Sequence, residues 1–103
     1  MKQYDKLVRD KIPEIIEGTG KTCTTRILSR EEYLQKLDEK LNEELSEYQQ
    51  SKSLEELADL LEVMEAVVKA RGYTTEQLHR VRDEKRAERG GFEKAILLCQ
   101  VSE

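Results

Sequence analysis

Leu41-Asn42-Glu43-Glu44-Leu45-Ser46-Glu47-Tyr48-Gln49-Gln50-Ser51-Lys52-Ser53-Leu54-Glu55-Glu56-Leu57-Ala58-Asp59-Leu60 sets two acidic clusters on either side of a short polar break. At about 100° per residue with Glu44 at zero, Tyr33, Leu34, Leu37, Leu41, Leu45 and Tyr48 fall between about −20° and +100°. Glu44 lies inside that apolar stripe and Glu47 at its edge. With Glu56 at zero, Leu57, Leu60, Leu61, Val63, Met64, Val67 and Val68 fall between about −20° and +140°, and Asp59 at about −60°. Glu32, Glu39 and Glu43 on the first segment, and Glu55, Glu62 and Glu65 on the second, fall on the opposite arc and read as the solvated face. The polar break is a tight helix-to-helix connection with Ser53 as N-cap, so the two segments form an antiparallel hairpin.

From a turn apex near Ser51 and Lys52, a rise of ~1.5 Å per residue puts Glu47 and Glu56 at one depth and Glu44 and Asp59 at another. Four like charges on a partly apolar surface are costly unless a cation sits among them. All-oxygen ligands suit Mg²⁺, with Mn²⁺ as the alternative, and Mg²⁺ characteristically shares its coordination with substrate phosphates. Two plainer readings stand beside this one. Any Glu-rich helix contains E-x-x-E spacings, and Ser53-x-x-Glu56 also matches a capping box that would give Glu56 a local role.

With 103 residues, one proline and no Gly/Ser-rich stretch, the chain reads as a single domain, residues 1–103. Only 37% of its residues are hydrophobic and 39% are charged, so the apolar stripes call for a second copy to cover them. The expected fold class is mainly α: an antiparallel helical hairpin forming a four-helix bundle on oligomerisation, as a homodimer or dimer of dimers, with a small peripheral β-sheet. A net charge of −4 argues against a general nucleic-acid surface. Neither a signal peptide nor a membrane span is legible, which leads to the expectation of a soluble, cytoplasmic protein. Cys23 and Cys99 show no C-x-x-C spacing and read as free thiols.

Residues 10–18 read as a short helix with Pro13 in its first turn and Gly18 at its end. Residues 22–28 are β-branched and read as a strand. Ser29 with Glu32 forms a capping box for a helix over about 30–50. The next helix, from Ser53 to about Arg71, is closed by Gly72. A further helix begins at Thr74 or Thr75, runs to Arg89 and is stopped by Gly90-Gly91. Residues 92–101 carry an apolar run that pairs with 22–28 as a sheet or, by its length, forms a helix.

This last helix is rich in bases. Around Lys85, the side chains of Leu78, Val81, Arg82 and Arg89 lie within about 60°, so Lys85 and Arg89 form a candidate phosphate clamp. The plainer account is charge balance at a helix C-terminus, with Asp83, Glu84 and Glu88 as local partners. A second basic group, Lys6, Arg9 and Lys11, precedes the first helix and reads as solvated or as reaching the same phosphates. His79 reads as a surface or packing residue. Phe92, Tyr48 and Tyr33 are aromatic residues of the kind that stack a nucleobase, though on helical stripes they more often belong to a core.

The succession E-E-x-x-E, E-x-x-D and Lys85-Arg86-Ala87-Glu88-Arg89-Gly90-Gly91-Phe92 resembles the all-α nucleoside triphosphate pyrophosphohydrolases, which include MazG, the all-α dUTPases and phosphoribosyl-ATP pyrophosphohydrolase. The opening Lys6-Leu7-Val8-Arg9-Asp10-Lys11-Ile12-Pro13 is similar to their small single-domain house-cleaning branch. Here the interval between the acidic pairs is shorter than in MazG, and Gly-Gly-Phe follows the basic segment. The resemblance implies that Glu44, Glu47, Glu56 and Asp59 bind the metal and that Lys85 and Arg89 contact phosphate. It also implies Mg²⁺-dependent attack at the α-phosphorus of a non-standard nucleoside triphosphate, releasing nucleoside monophosphate and pyrophosphate. Spacing alone leaves the attacked phosphorus open, and equally whether Glu44 or Glu47 assists the water. Two other classes fit the same residues: a non-enzymatic helical interaction module, which predicts weak, unselective cation binding, and a nucleotide-binding sensor, which predicts binding without turnover.

Overall fold

In the computed structural model, which describes residues 2–102, four helices make up the regular structure: α1 (Ile12–Gly18), α2 (Arg30–Ser51), α3 (Leu54–Ala70) and α4 (Thr75–Arg89). Each boundary has a local cause. Pro13 occupies the first turn of α1, where its missing N–H costs nothing. At the head of α2 the Ser29 hydroxyl accepts from the Glu32 N–H while the Glu32 carboxylate accepts from the Ser29 N–H, both at 3.2 Å. Thr74 and Gln77 build the same reciprocal cap on α4. Between α2 and α3 only Lys52 and Ser53 are non-helical, and Lys52 turns the chain with φ 58 while its N–H donates to the Tyr48 carbonyl.

Charge contributes to the α2 cap. Arg26 donates twice to Glu32, at 2.8 and 3.2 Å, and that bond, with the Ser29 N–H, lowers the Glu32 carboxyl to about 2. A carboxyl depressed in the fold contributes stability above its unfolded pKa of about 4.5 that is lost as pH falls through about 2. Glu32→Gln should therefore melt below the wild type at pH 7 and match it near pH 2; an equal deficit at both pH values would show that shape, and not charge, holds the cap.

Helices α2 and α3 pack as an antiparallel hairpin, and α4 touches α3 more lightly. Among the described residues only Leu37 and Val63 are buried apolar side chains, at 3% and 9% exposure. Both sit near the seam, at about +20° on α2 and −20° on α3 in the arcs defined above. Further round, at about 80° to 140°, Leu45, Leu57, Leu61 and Met64 are 41–50% exposed. Because chain direction reverses across the turn, these positive angles rotate to the same side of the hairpin. The negative angles, with Glu47 and Asp59, rotate to the other.

The peripheral β-sheet is not there: no strand occurs among the described residues. Residues 22–28 and 92–101 run without regular structure, and 92–101 do not form a helix either. Ile27 is 96% exposed and Phe92, Ile96, Leu97 and Leu98 are 75–98% exposed, so neither apolar run meets a surface to pack on. An isolated two-stranded ribbon is marginal without such packing. The molecule is open as a result. Its radius of gyration is 18.4 Å, against about 13 Å for a compact chain of this length. Its accessible area is 9565 Å², against about 6,000 Å² for a compact protein of this mass. No described helix is long and apolar enough to cross a membrane, and both cysteines are free.

Candidate metal centre

Glu44 occupies the hairpin seam because its helical angle coincides with that of the buried stripe, and Glu56 faces it from the start of α3. Glu44 is 6% exposed, the one buried charged residue among those described. Its Oε1 pairs with Lys40 Nζ at 3.3 Å, but its Oε2 has no hydrogen-bond partner. Glu56 Oε2 is in the same condition. Two buried carboxylate oxygens without donors are a costly arrangement for a helix pair this short of core.

The second half of the Ser53 cap explains why Glu56 is available. Ser53 Oγ accepts from the Glu56 N–H at 3.3 Å, yet the Ser53 N–H donates to Ser51 Oγ, so the Glu56 carboxylate is not drawn into a capping box. It points to the seam instead. There Glu44, Glu56 and Asp59 present carboxylate oxygens within 4.8 Å of one another. In a second triad the carboxylate oxygens of Glu43, Glu44 and Glu47 converge as closely. The four acids Glu44, Glu47, Glu56 and Asp59 thus form no single group at this spacing; two overlapping triads share Glu44, and Glu47 is the exposed member.

Burial pushes the Glu44 carboxyl above the ordinary range, Lys40 opposes that, and the nearby Glu47 charge reinforces it. Such a site favours a cation. All-oxygen donors converging from two helices suit Mg²⁺ or Mn²⁺, with coordination positions left for water or phosphate. The residues present fit a hard divalent ion.

Of the bases singled out in the sequence, Arg9 and Lys6 reach the acids. Arg9 Nη2 donates to Asp59 Oδ1 at 2.8 Å and Lys6 Nζ to Glu43 Oε1 at 3.2 Å. Lys11, Lys85 and Arg89 are exposed and make no ion pair among the described residues. His79 and Phe92 are exposed, while Tyr33 and Tyr48 are half-buried on the stripe. Two participants escaped the sequence reading. Glu43, assigned to the solvated face, is half-buried and held by Lys6 and by Lys40 at 3.6 Å. Lys40 lies only about 40° from Glu44 on α2, an angle that marks it as a neighbour of the seam.

No family model and no solved structure matches this chain. It is similar to an uncharacterised protein of Mycolicibacterium smegmatis, with 52% identity over 42 residues, 41% of this chain and 43% of that one. The match spans less than half the length of that relative.

Proposed function

We propose that this protein is a Mg²⁺-dependent nucleoside triphosphate pyrophosphohydrolase, cleaving at the α-phosphorus to nucleoside monophosphate and pyrophosphate. The observation that carries the reading is that Glu44 and Glu56, each with a buried and unpartnered Oε2, converge in one triad with Asp59. The choice of triphosphates and of the α-phosphorus rests on the resemblance of the acidic and basic motifs to the all-α pyrophosphohydrolases.

The chemistry supplied by bound Mg²⁺ or Mn²⁺ is neutralisation of phosphate charge and a lowered pKa for water. Glu44, Glu56 and Asp59 would hold the ion. Glu47, exposed beside Glu44, is free to accept a proton from the attacking water, which makes it a better general base than the buried Glu44. Arg9 and Lys6, which reach the acids, are the cations nearest to the phosphate chain, and Lys85 and Arg89 of α4 are assigned to it by the resemblance alone. The deciding assay incubates purified protein with standard and modified nucleoside triphosphates plus Mg²⁺ and measures pyrophosphate separately from orthophosphate. Pyrophosphate release is the expected result; binding without turnover would favour a sensor, and no selective cation or nucleotide binding an interaction module.

The same proposal includes a homo-oligomer. Leu45, Leu57, Leu61 and Met64 make an apolar strip on the side of the hairpin away from Asp59 and Glu47, so a second copy can cover it without closing the acidic side. Sedimentation at micromolar concentration should give a dimer or larger, and Leu61→Glu with Met64→Lys should return it to a monomer. A wild-type monomer under those conditions would remove the bundle from the proposal.

A further inference from the structure

Residues 5–9 lie along the acidic side of the hairpin and are fastened there by charge. Lys36 Nζ donates to the Asp5 carbonyl at 3.4 Å, Lys6 to Glu43 at 3.2 Å and Arg9 to Asp59 at 2.8 Å. Lys36, Lys40 and Glu43 follow one another along α2 at about −80°, −40° and −100° from Glu44, so the segment tracks one edge of the helix and then crosses to α3. Its apolar anchorage is slight: Tyr4 and Val8 are 65% and 45% exposed, and only Leu7 is half-buried. Beneath it is a cleft of about 240 Å³ lined by Lys6, Leu7, Lys36, Glu39, Lys40 and Glu43. A segment held by exposed ion pairs over a cleft can lift at little cost.

Resting on the metal-centre reading, we propose that residues 5–9 are a cationic strap in which Arg9 holds Asp59 until a divalent cation takes that carboxylate, and Arg9 then turns to the phosphates of the substrate. The reason is valence. Arg9 and the ion compete for the negative charge of one carboxylate, Asp59, whose Oδ1 Arg9 already holds, and a guanidinium displaced from a carboxylate beside a phosphate-binding ion finds a bidentate acceptor in the phosphate. Arg9 is thus a competitor of the metal and a partner of the substrate. One substitution should move the two affinities in opposite directions.

The test is calorimetric titration of the full chain with Mg²⁺ alone, then with inorganic tripolyphosphate at saturating Mg²⁺, for the wild type, Arg9→Gln and Lys2→Gln. Lys2, over the Tyr4 ring at 5.4 Å, is the control for loss of one positive charge just before the strap. Arg9→Gln should tighten Mg²⁺ by about twofold to fivefold, the range for an exposed ion pair, and weaken tripolyphosphate by about tenfold or more. Lys2→Gln should move neither by as much as twofold. In the wild type, the ¹⁵N resonances of the Arg9 guanidinium should shift on addition of Mg²⁺ and again with tripolyphosphate. Equal shifts in affinity for both variants, or no change in Mg²⁺ affinity with Arg9→Gln, would overturn the strap while leaving the metal centre standing. Absence of saturable Mg²⁺ binding in the wild type would overturn both.

Discussion

Glu56→Gln and Asp59→Asn should each abolish Mg²⁺-dependent pyrophosphate release while leaving the helical circular-dichroism spectrum unchanged. Both substitutions keep side-chain volume and remove one anionic ligand from the triad shared with Glu44. An ion that neutralises phosphate charge contributes several kcal/mol to the transition state, and each 1.4 kcal/mol or so lost is tenfold in rate, so a loss of at least a hundredfold is expected. Glu62→Gln is the control: it has the same composition of change on an exposed position of α3, about 240° from Glu56. If all three variants lose activity alike, the site is not on the face assigned here. If Glu56→Gln alone is without effect, Glu56 serves only the start of α3.

Glu44→Gln should act on stability in two opposed ways. In metal-free protein at neutral pH it should raise the melting temperature, because it removes a charge that burial and Glu47 both disfavour. It should also erase most of the stabilisation by Mg²⁺. Saturating cation at a hundred times its Kd contributes about 2.7 kcal/mol, which for a chain of this size corresponds to roughly 10–20 °C. Wild type should show that increment in a thermal melt, and Glu44→Gln only a small part of it. The contrary pattern, a lower metal-free melting temperature with the increment intact, would identify Glu44 as the structural partner of Lys40 at 3.3 Å and nothing more.

Much of the candidate site's geometry was legible in the chain because its determinants are local. Apolar spacing on α2 and α3 puts Glu44 and Glu56 at the same angle as Leu37 and Val63, and the structure buries Glu44 there. Ser29, Ser53 and Thr74 cap helices within a residue of their expected starts, since a cap depends on atoms three positions away. Local spacing also leaves open two points that the fold decides. Ser53 and Glu56 match a capping box as well as a metal pair, and only half of the box forms, because Ser51 takes the Ser53 N–H. Residues 22–28 and 92–101 have strand-like composition, but a strand exists only when a partner supplies its hydrogen bonds, and none is within reach.

What the amino-acid order determined by itself is the hairpin, its caps and the carboxylates at its seam, for these follow from side chains no more than four residues apart and from the 3.6-residue turn. Lys40 meets Glu44 through i,i+4 spacing on α2, but which cations from outside the hairpin meet those carboxylates was decided only by the tertiary structure. Arg9 and Asp59 are separated by 50 positions and Lys6 and Glu43 by 37, and no periodicity connects them. Their meeting depends on the path of the chain through α1 and residues 19–29, which brings the N-terminal segment to the acidic side of the hairpin. Lys85 and Arg89 illustrate the converse: helix propensity places them on α4, but α4 touches the hairpin only through α3 and leaves both exposed. Charge attracts over a distance without specifying a route, so which remote charges pair is set by the path of the chain.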